Sequence, residues 1–199
     1  MAIITLTTDF GEKDHFVGAI KGQIFKQLRD ATIVDISNRI KPFHIQETAY
    51  VLKNAYPNFP EGSIHLIGVD AEVSPENAHV ILELDGQYFV GADNGILSLL
   101  ISEGASPKIM EINLPNTAQT AFPTLDVFVP VACHLARGGK PEIIGKPMTA
   151  LKESKEFQPR VTNNGATLIG NIIYIDNYGN TVSNIERNLF EAYRNGRDF

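Results

Sequence analysis
Two periods of apolar and polar positions alternate along the first hundred residues. Short runs rich in β-branched residues at 3–7, 32–36, 64–69, 79–84 and 88–91 read as strands. Between them the apolar spacing turns helical. Ala19, Ile20, Ile24, Phe25 and Leu28 predict a helix over 18–28, and Ala49, Leu52 and Ala55 share one face of a second over 45–55. The stretch DGQYFVGADNG predicts a hairpin running into a turn and a helix over 96–103. A further short helix over 128–137 closes at Gly138-Gly139. Strands and helices in this order predict an α/β fold, its sheet mainly parallel, flanked by helices and joined by right-handed crossovers.

The pattern breaks at KPMTALKESKEFQPR, residues 146–160, which is charged and poor in apolar residues. A domain boundary is placed there, giving an N-terminal α/β domain over 1–155 and a second unit over 156–199. ATLIGNIIYIDNYGNTVSNI then reads as two strands around a turn, the opening of an all-β unit. So short a remainder is too small to bury its own core, so the second domain is expected to be cut short or completed by a partner subunit.

Composition narrows the class. The chain is 43% hydrophobic and 20% charged with net charge −6, ordinary for a soluble globular protein and poor in the clustered Lys and Arg of a nucleic-acid groove. A single cysteine, Cys133, excludes an intrachain disulfide framework and fits a reducing cytoplasm; its helical apolar surroundings argue against a thiolate nucleophile. No apolar run reaches the ~20 residues of a membrane span, and the N-terminus lacks a basic signal-peptide region. A soluble, cytoplasmic protein that binds neither nucleic acid nor membrane is expected.

Candidate chemistry gathers where strands end. Asp9 follows the first strand and Asp70 the third, so both belong to the carboxyl edge of the sheet, where open α/β folds bind ligands. Such a pair reads as a cation, diol or metal site; no His- or Cys-rich spacing supports zinc, and the pair alone is weak evidence for magnesium. Asp14 precedes the first helix and has a plain structural reading as its N-cap. GADNG is explained by turn chemistry. IDNYGN packs Asp176, Tyr178 and Asn180 into one Asx-Gly turn, where a carboxylate, a ring and an amide can meet a purine and an amino group. His65 and His134 lie in apolar patterns and read as satisfied core residues, whereas His79, beside the Asp70 loop, is less easily dismissed.

TTDFGEKDHFVGAIKG, ATIVDISNRIKPFHIQETAY, FPEGSIHLIGVD, GADNG and IDNYGNTVSNI stand in the order and spacing of one family. The chain resembles the S-adenosyl-L-methionine (SAM) hydroxide adenosyltransferases, the SAM hydrolases related to fluorinase and chlorinase, from about residue 3 to 188. The resemblance implies an α/β domain followed by a smaller C-terminal β-barrel, here truncated, in a homotrimer with SAM bound at the subunit interface. No cofactor is implied; SAM is the substrate. By the same resemblance Asp9 accepts hydrogen bonds from the ribose diol, which suits two acceptor oxygens opposite two hydroxyls. Asp14 and Asp176 match positions near the methionyl ammonium, and Phe43 and Phe122 match family phenylalanines, Phe43 packing by the ribose. Tyr178 and Asn180 match residues that stack on and hydrogen-bond the adenine.

In the family, water or hydroxide attacks the ribose C5′ and an already neutral thioether leaves, with Asp, Arg and His around the water. Here the Asp is Asp70, but the Arg position holds Asn77 and the His position holds Pro123. Both lack a fixed positive charge, so any hydrolysis is expected to be slow and favoured by higher pH. Three readings follow: a SAM hydrolase with a rebuilt water site, using His79 or His15; a same-fold enzyme with another nucleophile, such as halide, or another nucleoside; or a protein that binds SAM or adenosine without catalysis. A metal-dependent phosphatase built on Asp9 and Asp70 is a fourth, unrelated reading, which magnesium dependence would expose.

Overall fold
The computed structural model describes residues 2–75, 77–102, 104–114, 120–153, 158–162, 167–194 and 196. Two compact units emerge, Met1–Glu153 and Ser154–Phe199. In the first, strands β1 (Ile3–Thr8), β2 (Thr32–Ser37), β3 (Ile64–Gly68), β4 (His79–Leu84), β5 (Gln87–Ala92), β6 (Lys108–Ile112) and β7 (Gly145–Met148) form one sheet in the order β2-β1-β3-β5-β4-β6-β7. The pairs β1–β2, β1–β3 and β3–β5 are parallel, whereas β4–β5, β4–β6 and β6–β7 are antiparallel. The sheet is therefore mixed, with most strands running one way.

Helices cover both faces, as alternation within the strands requires. On one face Ile4, Leu6, Ile64 and Leu66 pack against Ile20 and Ile24 of α1 (Phe16–Gln27) and Val131, Ala132 and Leu135 of α4 (Val129–Ala136). On the other, Ile67, Val69, Val80 and Leu82 meet Ala49 and Leu52 of α2 (Ile45–Ala55) and Ile96, Leu97 and Leu100 of α3 (Ile96–Leu100). The helix expected over 96–103 ends at Leu100, and Glu103 lies outside the described residues. A π-helical turn, Thr124–Phe128, leads into α4, and α5 (Pro141–Ile144) precedes β7.

Two elements lie where the sequence offered none. β6 and β7 extend the antiparallel side, and β7 takes the start of the charged segment read as a boundary; its Pro147 is tolerated because β7 is an edge strand. The second unit holds two hairpins, β8 (Arg160–Thr162) with β9 (Thr167–Ile169) and β10 (Ile172–Ile175) with β11 (Thr181–Ser183). It also holds a helix, α6 (Arg187–Arg194), which corrects the all-β expectation. Leu189, Phe190 and Tyr193 give α6 one apolar stripe at helical spacing. No described helix is long and apolar enough to cross a membrane.

Candidate functional site
Asp9 leaves the end of β1 with its own N–H donating to the Gly68 carbonyl at 3.4 Å, which ties it to the end of β3. Its Oδ2 accepts the Phe43 N–H at 3.0 Å. Phe43 reaches that position with φ at 60°, a left-handed conformation uncommon for a non-glycine residue, and its ring is 70% exposed. The loops around Asp9 are knitted together from below. Thr8 Oγ1 donates to Asn38 Oδ1 at 2.9 Å, Gly11 N–H to the Asn38 carbonyl at 2.7 Å and Ile40 N–H to the Thr8 carbonyl at 3.2 Å. Burial raises the Asp9 carboxyl above the ordinary carboxylate range; the Phe43 N–H opposes this, and the charge of Asp70 adds to it. The two carboxylates thus share one edge closely enough to feel each other.

Asp70 opens the loop between β3 and β4 with φ at 46°, a second left-handed non-glycine residue at the same edge. Asn94 holds it there: its Nδ2 donates to the carbonyls of Val69 and Asp70, each at 3.0 Å. The neighbouring Asp93 N–H donates to the Ala78 carbonyl at 2.7 Å, so the GADNG turn grips both ends of the loop. Within the loop, Asn77 N–H donates to Ser74 Oγ and to the Ser74 carbonyl, both at 3.1 Å. His79 is only 3% exposed; its Nε2 lies 2.9 Å from the Ala71 carbonyl and must carry the proton, because a carbonyl only accepts. Burial lowers its pKa, and its ring meets Phe128 edge-on at 4.9 Å. These contacts make His79 a neutral brace of the loop.

Asn77 and Pro123 carry no charge themselves, but Lys152 Nζ donates to Asn77 Oδ1 at 3.1 Å. The Lys152 main chain is fixed as well, its N–H donating at 2.9 Å to Oδ1 of Asp93, which is 5% exposed. Burial raises the Asp93 carboxyl, and the Lys152 N–H and charge oppose that shift.

The other expected residues fall into three places. Phe122 packs with Phe10 and Phe16, ring centroids 5.3–5.7 Å apart, forming an aromatic wall behind Asp9. Pro123 is buried at the start of the π-helical turn, whose Asp126 accepts from Thr120 Oγ1. Asp14 is exposed and does not cap α1; the N-cap is His15, which makes no side-chain cap bond and whose ring lies tilted against Phe16 at 4.5 Å. Asp176, Tyr178 and Asn180 meet in the β10–β11 turn of the second unit. There Asp176 Oδ1 accepts the Tyr178 and Asn180 N–H groups at 2.9 and 2.8 Å, and Oδ2 accepts Asn180 Nδ2 at 2.7 Å. Those bonds, the Asn180 side chain first, hold the Asp176 carboxyl below its usual range, and the Tyr178 ring stands 92% exposed.

His65 is a satisfied core residue, bonded through both ring nitrogens. His134 is only half-buried, at the end of α4, with Nε2 3.1 Å from the Lys140 carbonyl, so it is bonded but is not part of the core. Cys133 is buried, and burial raises its thiol pKa, which disfavours the thiolate. Among the described residues no three His, Cys, Asp or Glu side chains come together as a metal site.

Comparison with known proteins identifies similar sequences and a shared fold. The family model for the SAM hydroxide adenosyltransferase N-terminal domain matches residues 4–145. A protein of Methanocaldococcus jannaschii named (R)-S-adenosyl-L-methionine hydrolase is 34% identical over 191 residues, covering 93% of this chain and 67% of that protein. One of the same name from Thermus thermophilus is 28% identical, covering 94% of this chain and 76% of that protein. The crystal structure of an uncharacterized conserved protein from Thermotoga maritima superimposes with a TM-score of 0.79 at 30% identity, over 100% of this chain and 76% of that one.

Proposed function
The chain belongs to the SAM hydroxide adenosyltransferase family, and from that premise we propose that it binds SAM and hydrolyses it to adenosine and L-methionine. The observation that carries this reading is Asp9, a half-buried carboxylate at a strand end with one oxygen on the Phe43 N–H and Asp70 beside it. A carboxylate in that setting suits a vicinal diol, because two acceptor oxygens face two hydroxyl donors.

In the proposed reaction the water oxygen forms a bond to the ribose C5′ as the C5′–S bond breaks. Its electron pair passes to sulfur, which leaves as the neutral thioether of methionine, and the water's second proton is released to solvent. No acid is needed for such a leaving group. The protein's contribution is to align the water with the breaking bond and to strip solvent from it and the sulfonium. Asp70 is the group assigned to orient that water. Phe43 is assigned to the ribose, and the packed Phe10, Phe16 and Phe122 rings are assigned to excluding bulk water. Asp14 and Asp176 are assigned to the methionyl ammonium, Tyr178 and Asn180 to the adenine. Assembly as a cytoplasmic homotrimer, with the second unit contributing to a β-barrel and to a neighbour's site, belongs to the same proposal.

A second reading, binding without turnover, is favoured by one observation: Asn77 and Pro123 stand where the family pattern has Arg and His. Incubation with SAM followed by chromatography separates the two. Adenosine and methionine appearing in equal amounts support hydrolysis. Unchanged SAM, with binding heat in calorimetry, overturns it in favour of the second reading.

A further inference from the structure
We propose that Lys152 is a positioning residue of the water-handling loop, supplying through Asn77 the positive charge that the loop itself lacks; this rests on the hydrolysis reading. The loop from Asp70 to His79 reads DAEVSPENAH, with three acids and no Lys or Arg. The loop therefore supplies no positive charge to lower the pKa of a water beside Asp70, which disfavours forming the hydroxide that would attack C5′.

Lys152 changes that balance, and the way it is held separates it from an ordinary surface lysine. Its ammonium donates to Asn77 Oδ1 at 3.1 Å, while its main-chain N–H donates at 2.9 Å to Asp93. A buried carboxylate spent on one backbone N–H fixes where the side chain starts. Asp93 and Asn94 are consecutive, so one turn fixes the Asp70 carbonyl, the Ala78 carbonyl and the Lys152 backbone together. An ammonium on the amide oxygen also polarises Asn77, making its Nδ2 a stronger donor towards whatever faces it. Asn77 thereby becomes the contact and Lys152 the source of charge.

The test uses the full chain with Lys152→Met, Lys152→Arg and Asn77→Ala, assayed for SAM turnover. Lys152→Met keeps the backbone bond to Asp93 and the bulk of the stem but loses the charge. Its kcat should fall ~10-fold or more, on the scale of one electrostatic donor, with KM changed less than ~2-fold. Lys152→Arg should restore most of kcat. In the Asn77→Ala background, Lys152→Met should add little, because its effect passes through Asn77. Lys152→Met at full kcat, or equal losses with Met and Arg, would overturn the assignment of Lys152 while leaving hydrolysis intact. No turnover by the unsubstituted chain would overturn the hydrolysis reading and this proposal with it.

Discussion

Acidification from pH 7 to 4 should weaken the N-terminal unit through one buried imidazole. His65 is fully buried in β3, stacked on Phe89 at 4.6 Å, with Tyr56 and Phe59 edge-on. Gln87 Oε1, 2.8 Å from Nε2, only accepts, so Nε2 carries the proton and Nδ1 accepts from the Thr5 hydroxyl at 2.7 Å. That network is complete for the neutral ring and offers the imidazolium no carboxylate. Burial accordingly lowers the His65 pKa from 6.5 to about 4, against a smaller opposing effect of the Gln87 bond. The folded state binds fewer protons than the unfolded state between those values. Stability is therefore full above pH 6.5 and falls as pH drops towards 4. The shift corresponds to about 3 kcal/mol in total, of which about 2 is lost by pH 5. That is a large part of the ~5–15 kcal/mol of a typical domain. Asp9 and Asp93, whose carboxyl pKa values are raised, act in the opposite sense, gaining stability as pH falls through the carboxylate range. Comparison with His65→Gln isolates the imidazole. Urea denaturation of both proteins at half-unit pH steps should show an acid limb in the parent that the variant lacks, whatever the variant's absolute stability. Parallel pH profiles, or an imidazole that titrates near 6.5 by NMR, would refute the reasoning.

Two further outcomes follow from the same edge of the sheet. Asp9→Ala should weaken SAM or adenosine binding by at least ~1.5 kcal/mol, about ten-fold in calorimetric Kd, because charge-assisted bonds to the diol are lost. Gly68→Ala should destabilise the unit by ~1–3 kcal/mol in thermal or urea denaturation: its Cβ would lie 3.0 Å from Thr124 Oγ1 and 3.1 Å from Phe10 Cε2, forcing the aromatic wall beside Asp9 to move.

The strands and helices nearest the site could be read from the chain because each carries an unambiguous period. β1 and β3 are buried on both faces, one lined by Ile4, Leu6, Ile64 and Leu66, and 79–84 and 45–55 coincide with β4 and α2. β7 could not be read: GKPM has little β-propensity and carries Pro147, and it pairs only because Met110 and Ile112 of β6 offer it an edge. The placement of Asp9 and Asp70 at one edge follows from strand order alone. Lys152 was illegible for a different reason. Its partner Asn77 is 75 residues distant, and the contact exists only because a turn residue, explained fully by local chemistry, also anchors a remote backbone N–H. Likewise Asn94, read as a turn former, bonds two carbonyls of another strand end, which no local pattern encodes.

The position of the site is a consequence of how the chain winds. β1 lies between β2 and β3, so the chain must cross the sheet once in each direction. Right-handed crossovers then send α1 to one face and α2 to the other, as the two cores show. The loop leaving β1 therefore turns towards the first face, where Phe10 and Phe16 pack, and the loop leaving β2 turns towards the second, carrying Phe43 into α2. These loops diverge at the carboxyl end of β1, the place where α/β folds bind ligands. Asp9 is the first residue past that end. Its carboxylate is held to the second loop by the Phe43 N–H, and its own N–H holds it to β3. The left-handed backbones of Phe43 and Asp70 fit the same account. Each lies where the chain turns sharply at the rim, and each costs on the order of 1–3 kcal/mol that the surrounding hydrogen bonds must offset. Asp85 in the β4–β5 turn has φ at 51° as well, so a left-handed backbone accompanies sharp turns elsewhere in this sheet and does not by itself mark the ligand site proposed at this edge.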